Sequence, residues 1–267
     1  MSHLVPVATV MEGTGNRFVL MPETTLAGEA PSDVVRRWAG RDQAIDGLLV
    51  VSEGSDEVNC EVAVFNADGT AAEMCGNGLR CVAFLMADQP GHSHDLLRIR
   101  MGDHDLQARV IEHFGDHGVV SLTMPEPEVR PTAYGFDVEV GNPHRVVLEE
   151  SPSAVTDWEH WFHRHPAYRH PEVNLHRVTL KDDHTISMGT WERGVGPTPA
   201  CGSGAVAAVA ALRTRGVIQS PVEVIQAGGR LRVLWRSGQE GFTTIGPVVR
   251  IGGFAVPEAV EQRRNIQ

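Results

Sequence analysis

No basic run occurs in this 267-residue chain, and acids outnumber bases, 34 Asp and Glu against 23 Lys and Arg, for a formal net charge of −11. Nucleic acid and an anionic membrane are therefore not expected as partners. No uninterrupted apolar run is long enough to span a bilayer. The first residues, MSHLVPVATV, lack a basic start ahead of a long apolar core, so no signal peptide is expected and the chain reads as cytoplasmic. Cysteine is scarce: Cys60, Cys75, Cys81 and Cys201 are the whole set, too few for a disulfide scaffold at this length. In a reducing compartment a special cysteine is catalytic or metal-bound. Missing too are a P-loop, a Rossmann glycine fingerprint, a G-x-S-x-G elbow, an H-E-x-x-H helix and paired cysteine ligands. No metal is expected. The histidines gathered in His160–His176 read as a solvated helix and loop, and His92–His94 as a turn.

What is present is the composition of a soluble globular protein, 42% apolar and 21% charged, with length for one large domain or two ordinary ones. Strands are expected at Arg17–Met21, Gly47–Val51, Val58–Phe65, Leu96–Met101, Val119–Met124, Phe136–Val140, Arg145–Leu148, Ile186–Trp191, Val222–Ile225 and Leu231–Trp235. Leu79, Val82, Ala83 and Met86 fall on one helical face. Ala205–Leu212 is apolar all round, the mark of a helix buried on every side. A third helix is expected over Ser32–Ala39, capped by Ser32, and Pro125–Pro131 is the best domain boundary.

A weak internal repeat organises these pieces. Cys75-Gly76-Asn77-Gly78 and Cys201-Gly202-Ser203-Gly204 both read C-G-x-G and both lead into an apolar helix. Asn66 and Glu192 each end a strand nine residues before their cysteine. Two such halves indicate a duplicated α/β domain, and a pseudo-twofold would bring the two turns face to face across a cleft. A helix N-terminus offers unpaired N–H groups and partial positive charge. It is expected to stabilise a thiolate and to hold a carboxylate. Two such turns could grip one α-carboxylate with a sulfur on each side of the α-carbon, as stereoinversion requires. One thiolate would remove the α-proton and the opposite thiol would return one, with the N–H donors stabilising the carbanion. Cys60 and Cys81 lack the glycine context and read as core residues.

The run Phe65–Cys81 (FNADGTAAEMCGNGLRC) resembles the first signature of the diaminopimelate epimerase family, and Glu192–Gly196 with Ala200–Ala205 resembles the second. Gly13–Asn16, Gly141–His144, Val173-Asn174 and Gly228–Leu231 are similar to further family segments, in the same order, from about Thr9 to about Gly253. The resemblance implies an α/β (α+β) fold of two pseudo-symmetric domains, each a curved, mostly antiparallel sheet around a central helix, with the site in the cleft. The halves would be 1–128 and 129–252, with 253–267 returning to the first. It implies Cys75 and Cys201 as the two bases, no cofactor, and a homodimer acting on a small amino-acid substrate in lysine and peptidoglycan precursor supply. Asn16, Asn66, Asn142, Asn174, Glu192 and Arg193 would line the pocket. Gly76-Asn77 and Gly202-Ser203 would take the α-carboxylate, and His144 and Glu192 would assist the thiols. Arg193 can pair with a carboxylate; alone, Glu192-Arg193 would read as a surface ion pair. The sequence departs from the family pattern at Arg17, at Arg41–Gly47 and at Pro197-Thr198-Pro199. Those departures leave open a racemase of another amino acid, such as histidine or a secondary-metabolite precursor. A non-catalytic thiol sensor, with Cys75 bonded to Cys201, is a third reading.

Overall fold

A helix that is apolar on every side must be enclosed, and enclosing two of them dictates the architecture. The computed structural model describes residues 8–42, 44–88, 96–149, 158–164, 172–235 and 241–254. The first half runs β1 (Ala8–Gly13), β2 (Asn16–Pro22), α1 (Pro31–Arg41), β3 (Gly47–Glu53), β4 (Cys60–Asn66), β5 (Ala71–Ala72), α2 (Gly76–Ala87), β6 (Leu97–Met101), β7 (His104–Phe114) and β8 (His117–Met124). The second runs β9 (Glu128–Thr132), β10 (Gly135–Glu139), β11 (Pro143–Glu149), α3 (Trp158–Arg164), β12 (Asn174–Asp182), β13 (Thr185–Glu192), β14 (Gly196–Thr198), α4 (Gly202–Thr214), β15 (Val222–Gln226), β16 (Gly229–Trp235) and β17 (Phe242–Phe254).

Pairing takes the first sheet round from β1 through β2, β3, β4, β6, β7 and β8 to β17, which pairs back onto β1. Inside this closed ring lies α2, every residue of it buried. Its walls alternate: Cys60, Val62 and Val64 of β4 point inward while Glu61 and Ala63 face out. The second sheet runs from β9 through β10, β11, β12, β13, β15 and β16 to the same β17 and wraps α4. Over Phe242–Ile245 β17 pairs with both β16 and β8, so the chain is back on β8 well ahead of residue 253.

The halves repeat the same wiring. Strands β2 and β3 are parallel, β4 returns antiparallel, carries the short β5, and is parallel to β6. Strands β11, β12, β13, β14 and β15 do the same in that order. Each parallel pair needs a crossover: α2, which joins β4 to β6, fills the inside of the sheet, while α1, which joins β2 to β3, packs on its outer face. That is why GLLVV in β3 is buried on both sides. Leu49 and Val51 face α2, while Leu48 and Val50 meet Val34 and Val35 of α1. The helix α1 begins one residue before the expected Ser32, with Ala30 as N-cap and no side-chain cap bond. Pro31 lies in its first turn, where the amide it lacks would have no helical partner.

Strands β1, β7, β9, β12 and β17 were not anticipated as strands. Strand β7 alternates cleanly, Leu106, Ala108 and Val110 buried between exposed neighbours, but polar residues such as His104, Asp105 and Gln107 dilute its signal. Cys60 and Cys81 are core residues, as expected. His92–His94, His165 and His170 lie outside the described residues.

Phe84, fully buried in α2, stacks on His113 at 4.6 Å between centroids. Phe84→Ala is expected to cost about 3–5 kcal/mol, read as a lower midpoint in chemical denaturation.

Candidate active site

The two C-G-x-G turns meet tip to tip. Cys75 is the N-cap of α2 and Cys201 the N-cap of α4. A methyl group placed on Gly202 would lie 2.9 Å from Asn77 Oδ1 and 3.5 Å from the Gly76 Cα. Only glycine permits this approach. Intrahelical bonding begins with the Leu79 amide on the Cys75 carbonyl and the Ala205 amide on the Cys201 carbonyl, each at 3.0 Å. The preceding N–H groups, at Gly76, Asn77, Gly202 and Ser203, therefore have no helical partner.

A cavity of about 480 Å³ opens at this junction. Asn16, Asn66, Cys75, Gly76, Asn77, Asn142, Asn174, Glu192, Arg193, Cys201, Gly202 and Ser203 all line it. The topology explains the gathering. Asn16 starts β2 behind Gly15, and Asn142 precedes β11 behind Gly141, both glycines at positive φ (84° and 80°). Asn66 ends β4 and Glu192 ends β13. Asn174 begins β12 and fastens two loops, donating to the Pro143 carbonyl (3.1 Å) and accepting from the Arg193 amide (3.0 Å). Asn16 Oδ1 accepts from Asn77 Nδ2 at 2.7 Å. Arg193 reaches across the cleft to Glu73 at 2.9 Å. Arg17 and Pro197, two of the departures in sequence, are absent from the cavity wall.

His144 stands behind the wall, with its Nε2 on Asn142 Oδ1 and its Nδ1 on His176 Nε2, both at 2.8 Å. Burial holds both rings well below the usual histidine range, His176 at about 3, so the pair is neutral at physiological pH. His176 is completely buried, contrary to the solvated placement expected for its segment. It lies under the first turn of α4, where a methyl on Gly204 would come within 2.3 Å of its Cε1. Its ring and that of His144 offer nitrogens within 4.8 Å of Cys201 Sγ and of each other.

Electrostatics reverse one expectation. Both thiols sit at helix N-termini, yet burial pushes Cys75 up to about 12, against the pull of the Gly78 amide, and raises Cys201 further. Loss of water outweighs the helix end. Cys201 Sγ accepts from the Gly204 amide (3.3 Å) and touches Ser203 Oγ (3.6 Å), while Gln226 Oε1 accepts the Cys201 amide (2.8 Å). All four cysteines are free. Glu192 accepts from Thr198 Oγ1 at 2.8 Å, its charge opposes ionisation of Cys201, and burial raises it to about 6. Asp46, unremarked as a site residue in the sequence, also lines the cavity. Its carboxylate takes the Arg17 amide at 2.7 Å, and burial raises its pKa. The cavity thus holds two thiols, two buried carboxylates, a ring of asparagines and two unpaired helix ends.

This architecture is that of the two-barrel epimerases and racemases. A predicted epimerase from Pseudomonas aeruginosa superposes with a TM-score of 0.73 at 14% identity, covering 94% of this chain and 98% of that one. A hydroxyproline epimerase from Agrobacterium vitis gives 0.61 at 13%, covering 94% and 95%. The sequence narrows the class: residues 8–124 and 136–251 match the model of diaminopimelate epimerase. The diaminopimelate epimerase of P. aeruginosa is 30% identical over 91% of this chain and 96% of its own length. That of Nitrosomonas europaea is 31% identical over the same shares. The chain belongs to the diaminopimelate epimerase family and is an isomerase.

Glu192 supplies a stability test. Its carboxyl titrates near 6 when folded, against an ordinary value of 4.5. The raised value means the group favours the fold when protonated, and that contribution is lost as pH climbs from about 4.5 through about 6. In Glu192→Gln the loss of stability across this window is expected to flatten, as read from thermal melts at stepped pH.

Proposed function

We propose that the chain interconverts LL- and meso-diaminopimelate by moving the α-proton between Cys75 and Cys201, without pyridoxal phosphate. One observation carries the reading: both sulfurs belong to the wall of a single cavity at the junction of two helix N-termini. The α-carboxylate docks on the N–H groups of Gly76-Asn77 and Gly202-Ser203, which puts the α-carbon between the thiols. One sulfur, as thiolate, takes the α-proton. The electron pair left on carbon delocalises into the carboxylate, where the helix-end donors stabilise it. The opposite thiol then gives its proton to the other face, and that sulfur becomes the thiolate. The proton first removed from Cys201 goes to the Glu192 carboxylate, which shares the cavity wall with it and bears on its ionisation. Thiols held so far above neutrality make poor resting nucleophiles but strong bases once ionised, which suits a weakly acidic C–H.

The far amino-acid head of the substrate meets Asn66, Asn142, Asn174 and Arg193. The guanidinium takes the distal carboxylate in exchange for Glu73, and asparagine oxygens accept from the distal ammonium. Of the departures that left another amino acid open as substrate, Arg17 and Pro197 lie off the cavity wall while Ile45–Gly47 and Thr198 lie on it; the family match over both halves favours diaminopimelate. Free thiols at Cys75 and Cys201 speak against a resting disulfide. Family likeness supports a homodimer, and the free cysteines suit the cytoplasm.

In D₂O, without added cofactor, turnover of LL-diaminopimelate is expected to place solvent deuterium at the α-carbon of the meso product. Cys75→Ala and Cys201→Ala are each expected to lose at least about a hundredfold in epimerisation. Full activity in both variants would overturn the two-base reading. Turnover of another amino acid in a panel, with none of diaminopimelate, would overturn the substrate.

A further inference from the structure

Arg80 occupies a place where a charged side chain is expensive. It lies in the second turn of α2, inside the first barrel, and is 0% exposed. Its guanidinium donates to Asn77 Oδ1 (2.6 Å) and Thr14 Oγ1 (2.8 Å), and more weakly to the Gly76 carbonyl (3.5 Å). Its Nε has no partner. Among the described residues no carboxylate pairs with it, and the ionisable groups that bear on it are the thiols of Cys75 and Cys81. Burial lowers its pKa to about 10, which still leaves a cation at neutral pH. A methyl on Gly246 of β17 would sit 2.3 Å from Leu231 Cδ2 and 3.1 Å from the Arg80 Nε, so the guanidinium is closely packed. An apolar side chain of similar volume would fill such a position at less cost.

The uncompensated charge lies directly behind the carboxylate end of the cavity. Asn77 links the two: it accepts from Arg80 through Oδ1 and donates through Nδ2 to Asn16 Oδ1. Asn16, Asn77 and Cys75 are all on the cavity wall. Resting on the function proposed above, we propose that Arg80 is a positioning residue and the built-in counter-cation of this site, its charge balanced only when a substrate carboxylate sits on Gly76-Asn77 and Cys75 is ionised. It acts through Asn77 and through the field it sets at the sulfur, without touching substrate. The charged groups facing Cys75 bear this out in sign. Glu192 and Asp46 oppose its ionisation, and Arg80 is the one charged group favouring it. The groups that bear on Cys201 are Glu192, Ser203, the Gly204 amide and Cys75, with the neutral rings of His144 and His176 within 4.8 Å of its sulfur. The two thiols are therefore inequivalent, with Cys75 the one tuned by a buried guanidinium.

The test follows iodoacetamide alkylation of each cysteine by peptide mass spectrometry across pH, in full-length native protein, Arg80→Met and Arg80→Lys. In Arg80→Met the alkylation rate of Cys75 at each pH between about 7 and 9 is expected to fall about tenfold or more, with that of Cys201 unchanged. The concentration of meso-diaminopimelate that protects Cys75 should rise at least about tenfold. Arg80→Lys keeps the charge and should stay within about threefold of native protection. An unchanged Cys75 rate in folded Arg80→Met, or equal falls at both cysteines, overturns the proposal. Should Arg80→Met fail to fold, Thr14→Val removes one anchor of the guanidinium and must slow Cys75 in the same direction by less; an unchanged rate there overturns it equally. Alkylation needs no turnover. A native protein that exchanges no α-proton would sink the proposed function while the Cys75 profile still decides the role of Arg80.

Discussion

Gly76 of α2 and Gly202 of α4 abut so closely that a single methyl group between them would collide with Asn77. The functional geometry depends on this contact. It points the unpaired amides of two helices at one small volume, stations a cysteine at each N-cap, and leaves no route for the sulfurs to be anywhere but on the same cavity. The partial positive charge of two helix ends is concentrated where a carboxylate would develop extra negative charge.

Holding two helix ends in this way requires a rigid frame, and the frame follows from burial. Helix α2 along its whole length and α4 as far as Leu212 are buried, and each is wrapped by a curved sheet. Sharing Phe242–Ile245 of β17 between the sheets welds the halves, and one continuous hydrophobic core spans both. Arg193 and Glu73 add an ion pair at the rim, where both side chains are partly exposed and the energetic return is small. The alignment of the two cysteines is therefore a property of core packing.

Burial also sets the chemistry of the thiols. A helix N-terminus favours a thiolate, but removal of water disfavours it more, so both cysteines rest protonated. The same desolvation lifts Glu192 to about 6 and keeps the His144–His176 pair neutral. A site with carboxylates, thiols and a buried guanidinium, mutually out of balance until substrate arrives, is organised around charges the substrate brings.

Much of this was legible in the chain. The paired C-G-x-G turns, the matched offsets of Asn66 and Glu192, and the all-apolar run after Ser203 follow from local chemistry, so the helices and the duplication could be read directly, while the pocket asparagines and Arg193 were implied only by the family resemblance. Beyond reach were features that arise only between distant segments. Strand β7 hides its alternation behind polar residues, and β17 has meaning only as a strand shared by two sheets. His176 looked like one of a solvated histidine cluster until β12 carried it under α4. Asp46 and Arg80 were not singled out, because nothing in a linear pattern reveals that a carboxylate faces a cavity or that a guanidinium lies in a barrel without a counter-ion. The sequence by itself determined which residues could do the chemistry, because glycine, cysteine and helix-start patterns are local. Tertiary structure alone decided their protonation, because desolvation is set by whatever else the fold packs around them.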